Sequence, residues 1–291
     1  MDEMPAIKPG WNAVLTRTYS FYAQHFGAFL KMAFLPGLIA WLFRYAYSIA
    51  FRHAVLSGWL DRSSISNLPL MAALGLTEGG MYWIISSFFF AAVASRVLSE
   101  PAEDSNPLTD AFSAARSRIR AVLKVAILAW VLFYVGRTVS AIALAELLGR
   151  SSLMHNFWAA TIIFSIPLLL IAGLLSRLGL VIPALMAQPG IAFSQALKQS
   201  MALTEGWEPY FMTFLAKSAV IGFLGYWGAN FLLGQLWFRG LLTRATYPWA
   251  QTLLYIGIAT ALESPLFISF SVLYRDLQTP AETVLTASAI G

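Results

Sequence analysis

Glu263 is the only carboxylate set deep within a long apolar run of this chain, and it directly precedes Ser264-Pro265. Four cations share that kind of setting: Arg44, Arg137, Arg177 and Lys217. On translocon scales a charge at the centre of a membrane helix costs about 2.5–3.5 kcal/mol, so such residues face the interior of a helix bundle and find partners. Pro265 also frees a backbone carbonyl one turn earlier, near Ala261, which needs another donor. Arg137, near the midplane, is the expected partner of Glu263; Arg44 falls toward the outer side, and Arg177 and Lys217 fall in the inner half. Two chemistries fit the set: a buried ion pair that fixes helix register, or a polar cavity that binds an anion or relays protons. Four cations against one carboxylate give such a cavity a net positive charge, suited to an anionic solute or a lipid headgroup.

Other chemistry lacks its residues. The chain has no cysteine, which excludes disulfides, thiolate metal sites and Cys nucleophiles. His25, His53 and His155 fall on both sides of the expected membrane and cannot form one metal site. No Gly-x-Ser-x-Gly, His-Glu-x-x-His, Walker or dinucleotide fingerprint is present. The expectation is a non-enzymatic protein with no cofactor and no metal. An intramembrane lipid-modifying enzyme acting through Glu263 is the remotest alternative.

The elements that position these charges follow from composition. Hydrophobic residues make up 58% and charged residues 11% of the chain, against about 45–50% and about 25% in soluble domains. Aromatic residues reach 14%. Trp11, Tyr82 with Trp83, Trp158, Trp207 with Tyr210, Trp237, and Tyr247 with Trp249 sit where helices would cross the headgroup layer. The net charge of +5 comes from residues that flank apolar segments rather than from a dense patch, so anionic lipid is the expected partner and nucleic acid is not.

A unit recurs three times, over Trp11–Pro101, Pro107–Pro189 and Gly190–Pro280: a short amphipathic stretch, two long apolar segments, then a polar residue and proline. The endings are Ser99-Glu100-Pro101, Ala187-Gln188-Pro189 and Gln278-Thr279-Pro280. A span needs about 20 apolar residues, and only helices or closed barrels satisfy every backbone group in hydrocarbon. The expected fold is therefore an all-α integral membrane domain of six helices in three hairpins. The spans fall near Met32–Phe51, Gly79–Leu98, Val125–Leu147, Phe157–Met186, Tyr210–Leu236 and Trp249–Tyr274. Pro36, Pro167, Pro183 and Pro265 predict kinks. Small residues Ser218, Gly222, Gly225 and Ala229 predict close packing of the fifth helix.

Basic residues set the orientation. With the N-terminus in the cytoplasm, Lys8, Arg17, Lys31, Arg96, Arg116, Arg118, Arg120, Lys124, Lys198 and Arg275 lie inside, against Arg52, Arg62, Arg150, Arg239 and Arg244 outside. The excess places both termini in the cytoplasm. The acidic, proline-broken N-terminus lacks the features of a cleavable signal, so the first span is expected to serve for targeting.

The amphipathic segments fall on the inner side. Apolar stripes run along Trp11, Val14, Leu15, Thr18 and Tyr22; along Leu108, Ala111, Phe112, Ala115, Ile119 and Val122; and along Phe193, Ala196, Leu197 and Met201. Asn106 is placed to cap a helix beginning at Pro107. Bracing of the hairpins is the plainer role for these helices, ahead of lipid sensing or partner docking. Gly27 and Gly206 are expected to end the first and third of them in a turn.

Three short stretches carry a family resemblance: the N-terminal interfacial segment, Ser194-Gln195-Ala196-Leu197-Lys198-Gln199-Ser200, and Val272-Leu273-Tyr274-Arg275-Asp276-Leu277. Together they resemble the membrane domain of the glycerophosphoryl diester phosphodiesterase type, which includes the YciC-like bacterial inner-membrane proteins. The resemblance covers nearly the whole chain and implies a six-helix protein of the bacterial inner membrane. Some relatives carry a fused phosphodiesterase barrel. These 291 residues leave no room for one and show none of its metal motifs, so that activity is not implied. Transport or lipid handling is the expected function; an accessory subunit recruiting partners through its interfacial helices is the alternative.

Overall fold

The computed structural model describes residues 11–57, 68–99, 107–149, 173–175, 177–188, 190–205, 224, 228, 230–243 and 246–278. Among these every regular element is helical. The helices are α1 (Trp11–Gln24), α2 (Phe26–Leu56), α3 (Leu68–Leu98), α4 (Pro107–Ser117), α5 (Ile119–Gly149), α6 (Val181–Ala187), α7 (Phe193–Thr204) and α8 (Tyr247–Gln278). Residues 230–238 are also helical. Among the described residues, three stretches are long and apolar enough to cross a membrane: Phe26–Tyr47, Gly79–Leu98 and Ile119–Gly136. Each of α2, α3 and α5 has 31 residues, so about 46 Å of helix is available to cross an apolar layer of about 30 Å.

Rows of apolar side chains face outward along these helices, including Ile39, Leu42, Tyr45 and Ile49 on α2 and Ile127, Val131, Val135 and Val139 on α5. On a water-soluble protein, continuous exposed apolar surface of this extent would drive association. In lipid it is the ordinary outer wall.

Contacts fix the relative directions. Tyr82 and Ser86 of α3 meet Glu263 of α8, and farther along both helices Phe90 meets Phe267 and Phe270. Residue numbers climb together, so α3 and α8 run parallel. On the other side, Trp41 of α2 meets Trp249 at the start of α8, whereas α1, which precedes α2, meets Ser269 and Asp276 near its end. Hence α2 is antiparallel to α8. Against α5, Phe112 of α4 packs on Phe88 while Trp130 and Phe133 reach back to Gly79–Trp83, which makes α5 antiparallel to α3.

The buried core lies at the end where α3 and α8 finish. It joins Val93, Ala94 and Val97 of α3, residues 180–185 at α6, and Ile268 to Tyr274 of α8 to Val14, Ala111, Ala115 and Ala196 of the amphipathic helices. These helices therefore brace the bundle. The expected stripes of α1 and α4 are the buried ones, with Val14, Thr18, Ala111, Ala115 and Val122 all closed to solvent. The stripe on α7 is rotated: Met201 is exposed, and Ser200 and Thr204 are buried with Ala196. Hydroxyls tolerate that burial because both donate internally, Ser200 to the Arg177 carbonyl at 2.5 Å and Thr204 to the Ser200 carbonyl at 2.8 Å. Gln195 reaches back to accept the Ala192 N–H, the N3-to-cap half of a capping box.

Two junctions match residue for residue at a spacing of 93. His25 is the single turn residue between α1 and α2, and Arg118 is the single turn residue between α4 and α5. The His25 carbonyl accepts from Ala28 at 2.9 Å and Phe29 at 3.1 Å; the Arg118 carbonyl accepts from Ala121 at 2.9 Å and Val122 at 3.0 Å. Burial keeps the same register, with Thr18 and Ala111, Phe29 and Val122, and Met32 and Val125 buried. Lys31 and Lys124 are both exposed, as are Phe34 and Ile127.

Several expectations need correction. Gly27 does not end a helix; it is the second residue of α2, and the turn falls at His25. Gly206 lies outside the described residues, as do Asn106, the prolines at 101, 167, 189 and 280, and Ser218, Gly222, Gly225 and Ala229. The expected fourth span does not run unbroken to Met186: a turn at Gly179–Leu180 interrupts it. Pro183 then sits in the first turn of α6, where its missing N–H would have had no helical partner, so it starts a helix rather than kinking one. Gly179 has its own reason. A Cβ there would collide with the Phe270 ring of α8.

Candidate functional site

Among the described residues, a polar constellation lies at the contact of α3 with α8, on the apolar stretch Gly79–Leu98. Glu263 is 15 residues before the end of α8, and Tyr82 is 16 before the end of α3, about 22 and 24 Å up their helices. Matched heights on parallel helices let the two side chains meet. The Tyr82 hydroxyl donates to Glu263 Oε1 through a short hydrogen bond, and Ser86 Oγ donates to Oε2 at 3.3 Å. Tyr82 and Ser86 are one helical turn apart, so one face of α3 presents both donors. Below them, the aromatic packing of Phe90 on Phe267, with centroids 4.4 Å apart, and of Phe89 edge-on at 5.7 Å seals the contact.

Chemically this is a carboxyl group whose two oxygens are fixed by hydroxyl donors inside an apolar layer. Such a group can hold a proton or accept hydrogen bonds from a bound solute. It is not sealed off, because Tyr82 is 52% exposed and connects the carboxyl to the outside of the contact.

The other expected site residues are placed unevenly. Arg137 belongs to α5 and lies one turn beyond Phe133, whose ring meets Trp83, the neighbour of Tyr82. Its backbone is thus on a helix flanking the site, and its side chain lies outside the described residues. Arg44 lies on α2 one turn past Trp41, toward the start of α8, and its side chain is likewise outside the description. Arg177 is near the opposite end, its carbonyl bound to Ser200 and its neighbour Gly179 against Phe270, roughly 10 Å along α8 from Glu263. Lys217 lies outside the described residues.

Sequence reading missed the two hydroxyl donors. Tyr82 was read as a headgroup-belt residue, yet its hydroxyl is committed to Glu263. The signal was available as a Tyr and a Ser four apart on the span whose direction matches that of Glu263. It also missed a second polar contact, at the braced end. Arg17 of α1 donates through Nη1 to Asp276 Oδ1 at 2.8 Å, and its Nη2 lies 2.7 Å from Oδ2. Nearby, Ser269 donates to Thr18 at 3.3 Å, and Gln188 donates to the Tyr274 hydroxyl at 3.1 Å. Together these contacts tie α1 and the segment after α6 to the end of α8.

Compared with known proteins, the chain matches no family, no curated protein and no solved structure.

Proposed function

We propose that this protein is a non-enzymatic integral membrane protein of six spanning helices in three hairpin units, which moves or handles an anionic solute or lipid through its interior. In this reading it belongs to the bacterial inner membrane, has both termini in the cytoplasm, and is of the type its short motifs resemble. The observation that carries the functional part is Glu263, held within the apolar layer by Tyr82 and Ser86 and reached from outside through the half-exposed Tyr82. A carboxyl kept in hydrocarbon needs a return, and intramembrane ionisable groups mark pathways more often than they serve packing. Arg44, Arg137, Arg177 and Lys217 give the apolar segments a cationic excess.

Three hairpin units are supported by the matched junctions at His25 and Arg118 and by the third amphipathic helix, where Ala196 and Ser200 are buried like Ala111 and Ala115. The turn that enters α8 has a hairpin's features. Gly240, at φ 71°, closes helix 230–238 with the paired bonds Gly240 to Trp237 and Leu241 to Leu236, and Thr243 and Thr246 cap the next helix reciprocally. The accessory-subunit alternative loses support because the apolar stripes of α1 and α4, with Ala196 of α7, are packed on the bundle.

The test is reconstitution. Proteoliposomes are expected to translocate fluorescent phosphatidylglycerol or release trapped phosphate faster than empty vesicles. Glu263→Gln is expected to slow that rate at least fivefold while its unfolding temperature stays close to that of the parent. Folded wild-type protein that moves neither probe would reject the transport reading and leave the accessory one.

A further inference from the structure

The outward face of the α4–α5 elbow carries cations and apolar residues in one continuous line. Arg116, Arg120 and Lys124 follow at four-residue spacing, all exposed, and Ile127, Val131 and Val135 continue the line at spacings of three, four and four. Spacings of three and four keep Arg120 through Val135 on one face of α5, and Arg116 stands exposed at the end of α4, just across the turn residue Arg118. The opposite face is the one packed on the bundle, through Ala111, Ala115, Val122 and Val125. Among the described residues no hydrogen bond or ion pair engages Arg116, Arg120 or Lys124.

We propose that this elbow is a binding site for the phosphate headgroup of an anionic phospholipid, with the acyl chain lying along Ile127, Val131 and Val135. The occupant follows from complementarity along the line. Guanidinium groups grip phosphate oxygens through paired hydrogen bonds, Arg120 and Lys124 are neighbours one turn apart on α5, and the wall that continues from them is hydrocarbon-like. A soluble acidic protein would match the cations and not the wall. The elbow between α1 and α2 supplies an internal comparison. Lys31 there corresponds to Lys124, but Ala23 and Gly27 stand where Arg116 and Arg120 do, so the matching positions carry one cation to three. The proposal rests on the reading of α5 as a spanning helix, and resistance to an alkaline carbonate wash tests that premise separately.

The experiment titrates full-length protein in neutral detergent with fluorescent phosphatidylglycerol and, in parallel, phosphatidylcholine. Wild type should prefer phosphatidylglycerol. The exposed triple variant R116Q/R120Q/K124Q should bind it at least about tenfold more weakly. R116K/R120K, which keeps the charge and loses the paired donors, should fall between wild type and that variant, and K31Q should stay within about twofold of wild type, with inorganic phosphate a poor competitor. Four results would overturn the proposal. They are equal affinity for the two lipids, an unaffected triple variant, equal weakening by K31Q/K198Q/R239Q, or a triple variant that keeps its lipid and loses a copurifying protein. Protein removed from membranes by the carbonate wash would take away the premise, and the proposal with it.

Discussion

Asp276 shows how one residue at the braced end holds two elements together. Its side chain is only 11% exposed, and Arg17, 45% exposed, is its cation. Burial raises the carboxyl above its ordinary range, while Arg17 and Arg275 draw it part of the way back. A folded-state value above the unfolded one means that the folded protein keeps a proton the unfolded chain has released. Stability therefore falls as pH rises through that window. Without Arg17 the window widens. Arg17→Gln is expected to cost about 1–2 kcal/mol at pH 7, between the exposed and buried limits for ion pairs. The loss should shrink near pH 4, where Asp276 takes up its proton on folding. Adding Asp276→Asn should restore most of it at pH 7. Thermal unfolding in detergent at the two pH values checks this, and an equal loss at both would contradict the account. Sequence placed Arg17 and Arg275 on one side of the membrane from charge counting alone. It could not pair Arg17 with Asp276, because nothing in either segment records that α1 folds back onto the end of α8. For the same reason Glu263 stood out as a lone carboxylate in an apolar run, while Tyr82 and Ser86 looked like any hydroxyls on a membrane helix.

At the level of elements, periodicity was legible wherever burial is apolar. The stripes of α1 and α4 emerged as read. It misled where polar side chains are buried with internal partners, as on α7, since Ser200 and Thr204 register as outward-facing in any hydropathy pattern. The break before α6 was hidden differently. Pro183 reads as a kink inside a long apolar run, and only the packing of Phe270 against Gly179 shows why the turn four residues earlier holds a residue without a side chain. Gly179→Ala should therefore be destabilising by about 1–3 kcal/mol, the usual cost of overpacking. Shrinking the opposing ring should relieve it: in a double-mutant cycle, Gly179→Ala with Phe270→Leu should lose clearly less than the two single changes added together. Additive losses would mean that the ring is not what excludes a side chain at residue 179.

For the whole molecule, segment length foretold the helices α2, α3 and α5, each holding a stretch long and apolar enough to cross a membrane, whereas lateral arrangement had no local signature. The arrangement seen agrees with alternating directions. The parallel pair α3 and α8 is flanked by α2, antiparallel to α8, and by α5, antiparallel to α3, with α1, α4 and α7 gathered where α3 and α8 end. On the proposed reading of α8 as a span beside α3, the parallel pair finishes on one side, so the segments after Leu98 and after Gln278 share a compartment whichever way the protein is inserted. In the proposed topology the basic excess puts that compartment in the cytoplasm. The absence of native cysteine makes the point directly testable with single introduced cysteines and an impermeant thiol reagent in intact cells. Ser63→Cys should be labelled, while Ser105→Cys and Ser288→Cys should be protected until the membrane is opened. Labelling of both Ser105→Cys and Ser288→Cys with protection of Ser63→Cys would invert the orientation and spare the helix arrangement. Labelling of one of that pair without the other would break the parallel packing of α3 and α8, and with it the site built around Glu263.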